Sequence, residues 1–257
     1  MKKTIMLSLA VLLLFGCSVK EEQKENYSDE MKITHAVDLS KEDGADSVER
    51  DGDQKESPYF KHPDFYNMKS TSTLTLLPKF KTIQQTSEWS CGVDSALMVL
   101  QYYGKLGEYN EETLAQFRTN KLKSEATSLK SMIQIFEEVG GFKIHSTYDY
   151  KESEYEKISL SMIQDYLKKG IPVMVAWNDW GGHWQVIIGY DTMGTETTQD
   201  DVLIVADSYD TTDHNQDGYG IYPAERFYYN WTMYDFFTKN YDVAERDKLF
   251  IAVEPEV

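Results

Sequence analysis

Gln85-Thr86-Ser87-Glu88-Trp89-Ser90-Cys91-Gly92 is a polar loop that runs straight into Val93, Ala96, Leu97, Leu100 and Tyr103, apolar residues at helical spacing, with Gly104 as a terminator. The pattern predicts a helix that begins at Cys91. A cysteine in the first turn faces unpaired backbone amides and the positive end of the helix dipole, and both stabilise a thiolate. Such a position lowers a thiol pKa by about one unit or more from about 8.5, and a neighbouring imidazolium lowers it further. Cys91 therefore has the setting of an activated nucleophile. Gly92 leaves room for a substrate, the Cys91 amide can face a developing oxyanion, and the Gln85 side-chain amide, six residues earlier, is a second donor. Taken alone, a buried cysteine can equally be a small hydrophobe.

A nucleophilic thiol needs a base, and the chain holds five histidines. His35 and His62 fall in or near an acidic N-terminal stretch, His145 lies in an expected strand and His214 in a polar loop. His183 differs. Gly181-Gly182-His183-Trp184-Gln185-Val186-Ile187-Ile188-Gly189-Tyr190 mounts it at the start of a buried strand, behind a glycine pair that can admit a substrate backbone. Trp180 and Trp184 flank it, as shields of a site or as core. The ring needs an orienter, and Asp207 emerges at the end of the next apolar run, Val202-Leu203-Ile204-Val205-Ala206. Neighbouring strands would bring the pair into register, although an aspartate at a strand end is often only a turn former.

Three helices are expected to share one core: the one after Cys91, one capped by Asn110 and running to Phe117, and one capped by Ser128 and ended by Gly140-Gly141. Leu74 to Thr82 reads as an extended segment broken at Pro78. Strands are expected at Phe142 to Tyr148, Pro172 to Trp177, Trp184 to Tyr190, Val202 to Ala206 and Lys248 to Val253, with helices at Leu160 to Lys169 and Ala224 to Thr238. Helices first and an antiparallel sheet later make an α+β domain.

The first residues tell of export. Lys2 and Lys3 precede an apolar run from Ile5 to Phe15, too short to span a bilayer, which ends in Gly16-Cys17. The expectation is a lipoprotein signal over residues 1–16, with Cys17 lipidated and the mature chain held at the cell envelope, outside the cytoplasm. Cys91 then has no partner for a disulfide within the chain. From Ser18 to Ser57 the chain holds 13 Asp or Glu against 6 Lys or Arg. Such a stretch buries too little apolar surface to fold alone, so residues 17–73 read as an acidic tether and residues 74–257 as one folded domain. A net charge of −17 argues against nucleic acid as a partner.

With these residues in place, the chain resembles the papain-like cysteine peptidases, and among them the bacteriocin-processing peptidases that cut after double-glycine leaders and their stand-alone exported relatives. The likeness rests on Gln85 with Cys91-Gly92, on Gly182-His183-Trp184 leading into Val186-Ile187-Ile188-Gly189-Tyr190-Asp191, and on Val205-Ala206-Asp207-Ser208, and it spans about Leu74 to Val253. The resemblance implies a papain-like fold and the roles of oxyanion donor, nucleophile, base and orienter for Gln85, Cys91, His183 and Asp207. It implies a peptide or protein substrate and requires no cofactor. The transporter members carry Asp directly before the cysteine where this chain has Ser90, and their membrane and ATPase segments are absent, so leader removal coupled to export is not implied. A cell-wall amidase, an acyl-transferring variant of the same site and an inactive papain-like binding module stay open as alternatives.

A second pattern, Asp213-His214-Asn215-Gln216-Asp217-Gly218, places oxygen ligands at alternate positions before a glycine, as calcium loops do. Asp213, Asn215 and Asp217 are the candidate ligands. The twelfth position is Ala224, with Glu225 one place late, so the match is partial.

Overall fold

A computed structural model describes residues 30–34, 63–121, 125–179, 181–211, 216–233 and 242–256. Helix α1 (Cys91–Tyr102) begins at Cys91, and every residue from Cys91 to Leu100 is buried. Asn110 caps α2 (Glu111–Ala115) by accepting from the Thr113 amide at 2.9 Å, while Thr113 Oγ1 accepts from the Asn110 amide. Ser128 caps α3 (Leu129–Val139), and the Glu245 carboxylate accepts from the amides of Leu129 and Lys130, a negative charge at the positive helix end. Gly140, at φ 75°, ends that helix.

The remaining chain forms a sheet. Its strands are β1 (Leu74–Leu76), β2 (Phe142–Ser146), β3 (Val173–Trp177), β4 (His183–Asp191), β5 (Val202–Ala206), β6 (Tyr219–Pro223) and β7 (Leu249–Pro255). Among the described residues the order is β2-β7-β3-β4-β5-β6, with every pairing antiparallel. One side of β4 is shared: β3 pairs with His183 to Ile187, and β1 takes over from Gly189 to Asp191. All of β3 and eight residues of β4 are buried. Successive strand residues point to opposite faces, so both faces are covered; α1 and α4 (Leu160–Lys168) each pack on β4. The α+β expectation matches this architecture.

Three local expectations differ. The strand expected to reach Tyr148 stops at Ser146, whose hydroxyl accepts from the Tyr148 amide and starts a 3-10 turn. Helix α5 (Ala224–Tyr229) ends well before Thr238, because the chain turns at Asn230 and Thr232 bridges to Asp247; residues 234–241 lie outside the described residues. Strand β6 was not expected at all: its buried and exposed residues mix Tyr, Gly and Pro, a weak strand signal.

Part of the acidic stretch belongs to the folded body. Met31, Phe65 and Tyr66 are each only 4% exposed and join the core. The chain at Lys32 pairs parallel with Thr82, the Ile33 amide donates to the Thr82 carbonyl, and Thr82 donates back to Met31. The packed unit therefore includes residues ahead of Leu74.

Candidate active site

Helix α1 delivers Cys91 and the sheet delivers its partners. The β4–β5 register sets Val186 against Ala206; one residue further along, Asp207 stands across from Gln185, with His183 diagonal to it on the same face. His183 Nε2 lies 2.6 Å from Asp207 Oδ1. That contact commits Nε2 and leaves Nδ1 for the Cys91 thiol, to which the ring is electrostatically coupled. Gly181 and Gly182, at φ 85° and 140°, make the turn that feeds His183 into β4. Cys91, His183 and Asp207 are 7%, 5% and 7% exposed, so the three are almost dry.

Electrostatics in this dry setting favour a charged pair. Burial alone pushes the Cys91 thiol up, but the hydrogen bond and charge of His183, with backbone N–H groups of Trp184 and Gly92, outweigh it and bring the thiol below its ordinary value. Burial also opposes a charged imidazole; the charge and hydrogen bond of Asp207, then the thiol, hold His183 well above its ordinary value. For Asp207, burial is overcome first by the His183 charge, and its carboxyl lies low. A thiolate beside an imidazolium is a nucleophile and a proton donor at once.

Several residues that sequence patterns did not single out hold this row. Gln185 donates from Nε2 to Asp207 Oδ2 at 2.7 Å and accepts at Oε1 from Trp177 Nε1 at 2.7 Å, so its amide is fixed from both ends. Asp179 accepts from Tyr222 and Gln185 beside the same carboxylate, and burial raises its pKa. Both lie within four residues of His183 in sequence, and an alternation of buried polar residues along β4 was the signal available. Trp184 is core rather than a platform: it is 1% exposed and donates to the Thr127 carbonyl at 2.7 Å. Trp180 lies outside the described residues.

Gly92 has a different use from the one expected. A Cβ there would stand 2.7 Å from Thr127 Cβ, so the missing side chain makes room for Thr127. Gln85 is buried, 1% exposed, and tied to the chain just beyond Asp207: its amide donates to the Ser208 carbonyl and its Oε1 accepts from Ser208 Oγ at 2.8 Å. One Nε2 proton goes to the Ser87 carbonyl at 2.8 Å, and an amide nitrogen carries two. Gln85 is thus pinned between the loop before Cys91 and the end of β5.

Of the other candidates, those among the described residues are not brought to this site. His145, on β2, has Nε2 3.3 Å from Glu254 Oε1. His35, His62, His214 and Cys17 lie outside the described residues, as do Asp213 and Asn215 of the calcium pattern. Asp217 accepts from the Tyr219 amide and Asp210 from the Gly218 amide, both turning the chain into β6.

The family described as Peptidase_C39 like matches residues 78–238, which include Gln85, Cys91, His183 and Asp207. No curated protein matches the chain. Among solved structures, one described as a C39-like peptidase from Bacillus anthracis has 17% identity and a TM-score of 0.49, covering 72% of this chain and 99% of its own. Another, UfSP from C. elegans, has 14% identity and a TM-score of 0.42 over 75% of this chain and 36% of its own. The match spans more than half of the sequence, and the chain belongs to the Peptidase_C39 like family of cysteine peptidases.

Proposed function

We propose that this chain is an exported, lipid-anchored peptidase in which Cys91 is the nucleophile, His183 the acid and base, Asp207 the orienter of the ring and Gln85 an oxyanion donor. The observation that carries the reading is the buried Cys91–His183–Asp207 line, with His183 bonded to Asp207 and electrostatically coupled to Cys91. The Cys91 thiolate attacks the carbonyl carbon of a peptide bond. Negative charge moves to the carbonyl oxygen, where the free proton of Gln85 Nε2 and the Cys91 amide are the donors. As the C–N bond breaks, imidazolium Nδ1 gives its proton to the leaving amine, and a thioester remains on Cys91. Neutral His183 then takes a proton from water, which attacks the thioester and releases the acid.

Export and anchoring rest on Lys2, Lys3, the apolar run from Ile5 to Phe15 and Gly16-Cys17. The substrate is then a peptide or protein met outside the cytoplasm. Calcium at Asp213, Asn215 and Asp217 is proposed from the sequence pattern; a rise in melting temperature with calcium, lost in Asp213→Ala, is the expected result.

The test exposes surface proteins of the source organism to the wild type and to Cys91→Ala and compares new N-termini. New termini with the wild type alone are expected, and identical sets would contradict hydrolysis. Cys17→Ala is expected to release the protein from the membrane fraction, and unchanged membrane retention would contradict the anchor.

A further inference from the structure

One buried acid on the nucleophile helix is not used by the chemistry above. Asp94 lies one turn after Cys91 and is 0% exposed. Among the described residues neither of its oxygens has a hydrogen-bond partner; the Ser90 hydroxyl, close enough to pull the Asp94 pKa down in part, donates to the Ser87 carbonyl at 3.1 Å. An ionised carboxylate without donors in such a place carries a heavy desolvation cost. The group that Asp94 does meet is another acid, Glu111, at the start of α2 and 2% exposed. Each oxygen of Glu111 accepts one hydrogen bond and keeps a further lone pair: Oε1 takes the Thr86 amide at 2.8 Å and Oε2 takes the Thr86 hydroxyl. Two buried carboxyl groups in contact hold together when one carries a proton, and the one without donors is Asp94. Burial, then the Glu111 charge, keep the Asp94 carboxyl well above the usual range, in keeping with that assignment.

Thr86 is the neighbour of Gln85. The chain of contacts therefore runs from the first turn of α1 through Asp94 and Glu111 to the loop that carries the oxyanion donor. We propose that Asp94 is a positioning residue: as a neutral acid it donates to Glu111, Glu111 grips Thr86, and the nucleophile helix and the Gln85 loop are held as one body. This rests on the role given to Gln85 above. A neutral Asp94 also leaves no negative charge behind the thiolate.

The full chain is tested as Asp94→Asn, Asp94→Leu and Thr86→Val. At neutral pH the wild type is expected to show the infrared carbonyl band of a protonated carboxylic acid, absent in Asp94→Asn. The Asn amide can still donate to Glu111, so Asp94→Asn should keep kcat on a peptide found in the N-terminal survey within about threefold. Asp94→Leu should lose about tenfold or more in kcat with KM unchanged, the mark of an interaction made in the transition state. If Asp94→Leu does not fold, Thr86→Val, which removes one donor to Glu111 and keeps the shape, is expected to show the same kcat-only loss at smaller size. Absence of the infrared band, an Asp94→Asn variant as impaired as Asp94→Leu, or an unchanged kcat in Thr86→Val would each overturn the proposal. The infrared arm needs no substrate, so it decides the acid pair even if the survey yields no cleaved peptide, whereas Cys91 alkylation separately decides the nucleophile.

Discussion

His183 spends its Nε2 on Asp207 Oδ1, 2.6 Å away, and so presents Nδ1 to Cys91. The tautomer and the ring orientation are both set by that one contact, since a neutral imidazole has a single N–H to place. The same carboxylate favours the charged ring once the thiol has given up its proton.

Activity should follow a bell with pH. It rises as Cys91 ionises, at a pH below the ordinary thiol range, and falls as His183 loses its proton above the ordinary imidazole range. In Asp207→Asn the charge that raises His183 is gone, so the alkaline limb moves to lower pH, and kcat/KM falls about 100-fold or more. A pH profile of kcat/KM on a cleaved peptide checks both; an unmoved alkaline limb would contradict the assignment.

Stability follows His183 and Asp207 with opposite signs. His183, raised in the folded state, contributes stability that is complete below its unfolded pKa and is lost as pH rises through the folded value. Asp207, lowered, contributes stability present above its unfolded pKa and lost as pH falls through the folded value. Asp207→Asn should therefore lower urea midpoints most in the window between the two titrations, with a deficit that shrinks as pH falls through the folded Asp207 value and as it rises through the folded His183 value.

Gln185→Leu leaves Asp207 Oδ2 and Trp177 Nε1 each without the partner it has now. A loss of about 2–4 kcal/mol in unfolding free energy is expected, together with lower kcat, from two buried groups unpaired. Equilibrium urea unfolding measures it, and a variant as stable as the wild type would show the amide to be idle.

Gly92→Ala should lower stability by about 1–3 kcal/mol, since a Cβ would meet Thr127 Cβ at 2.7 Å on a strand-backed helix start. Thermal unfolding reads the change. An unaltered melting temperature would mean that Thr127 yields freely.

A chain begun at Leu74 should be less stable than one begun at Pro63, because Phe65 and Tyr66 pack in the core. Phe65→Ala alone is expected to cost about 3 kcal/mol. Equal unfolding midpoints for the two chains would contradict the packing of residues 63–73 on the domain.

Much of the scaffold was legible because its signals are local. Cys91 followed by Val93, Ala96, Leu97 and Leu100, the caps at Asn110 and Ser128, and the Val and Ile runs of β3, β4 and β5 each state their structure within about a dozen residues. The residues that tune the site were hidden because their partners are distant in sequence. Asp94 meets Glu111, Gln185 meets Asp207, and Gly92 meets Thr127 only after the sheet and helices close. Met31 was obscured by acidic neighbours, and Phe65 and Tyr66 by a polar stretch with no apolar period around them.

The central claim is an ionised Cys91 sustained by His183. The rate of iodoacetamide alkylation, followed against pH on the peptide that bears Cys91, measures it directly. The account predicts a thiolate titrating below the ordinary thiol value of about 8.5 in the wild type and moving upward in His183→Ala. A Cys91 that titrates at or above that value, and does so equally with and without the imidazole, would contradict it.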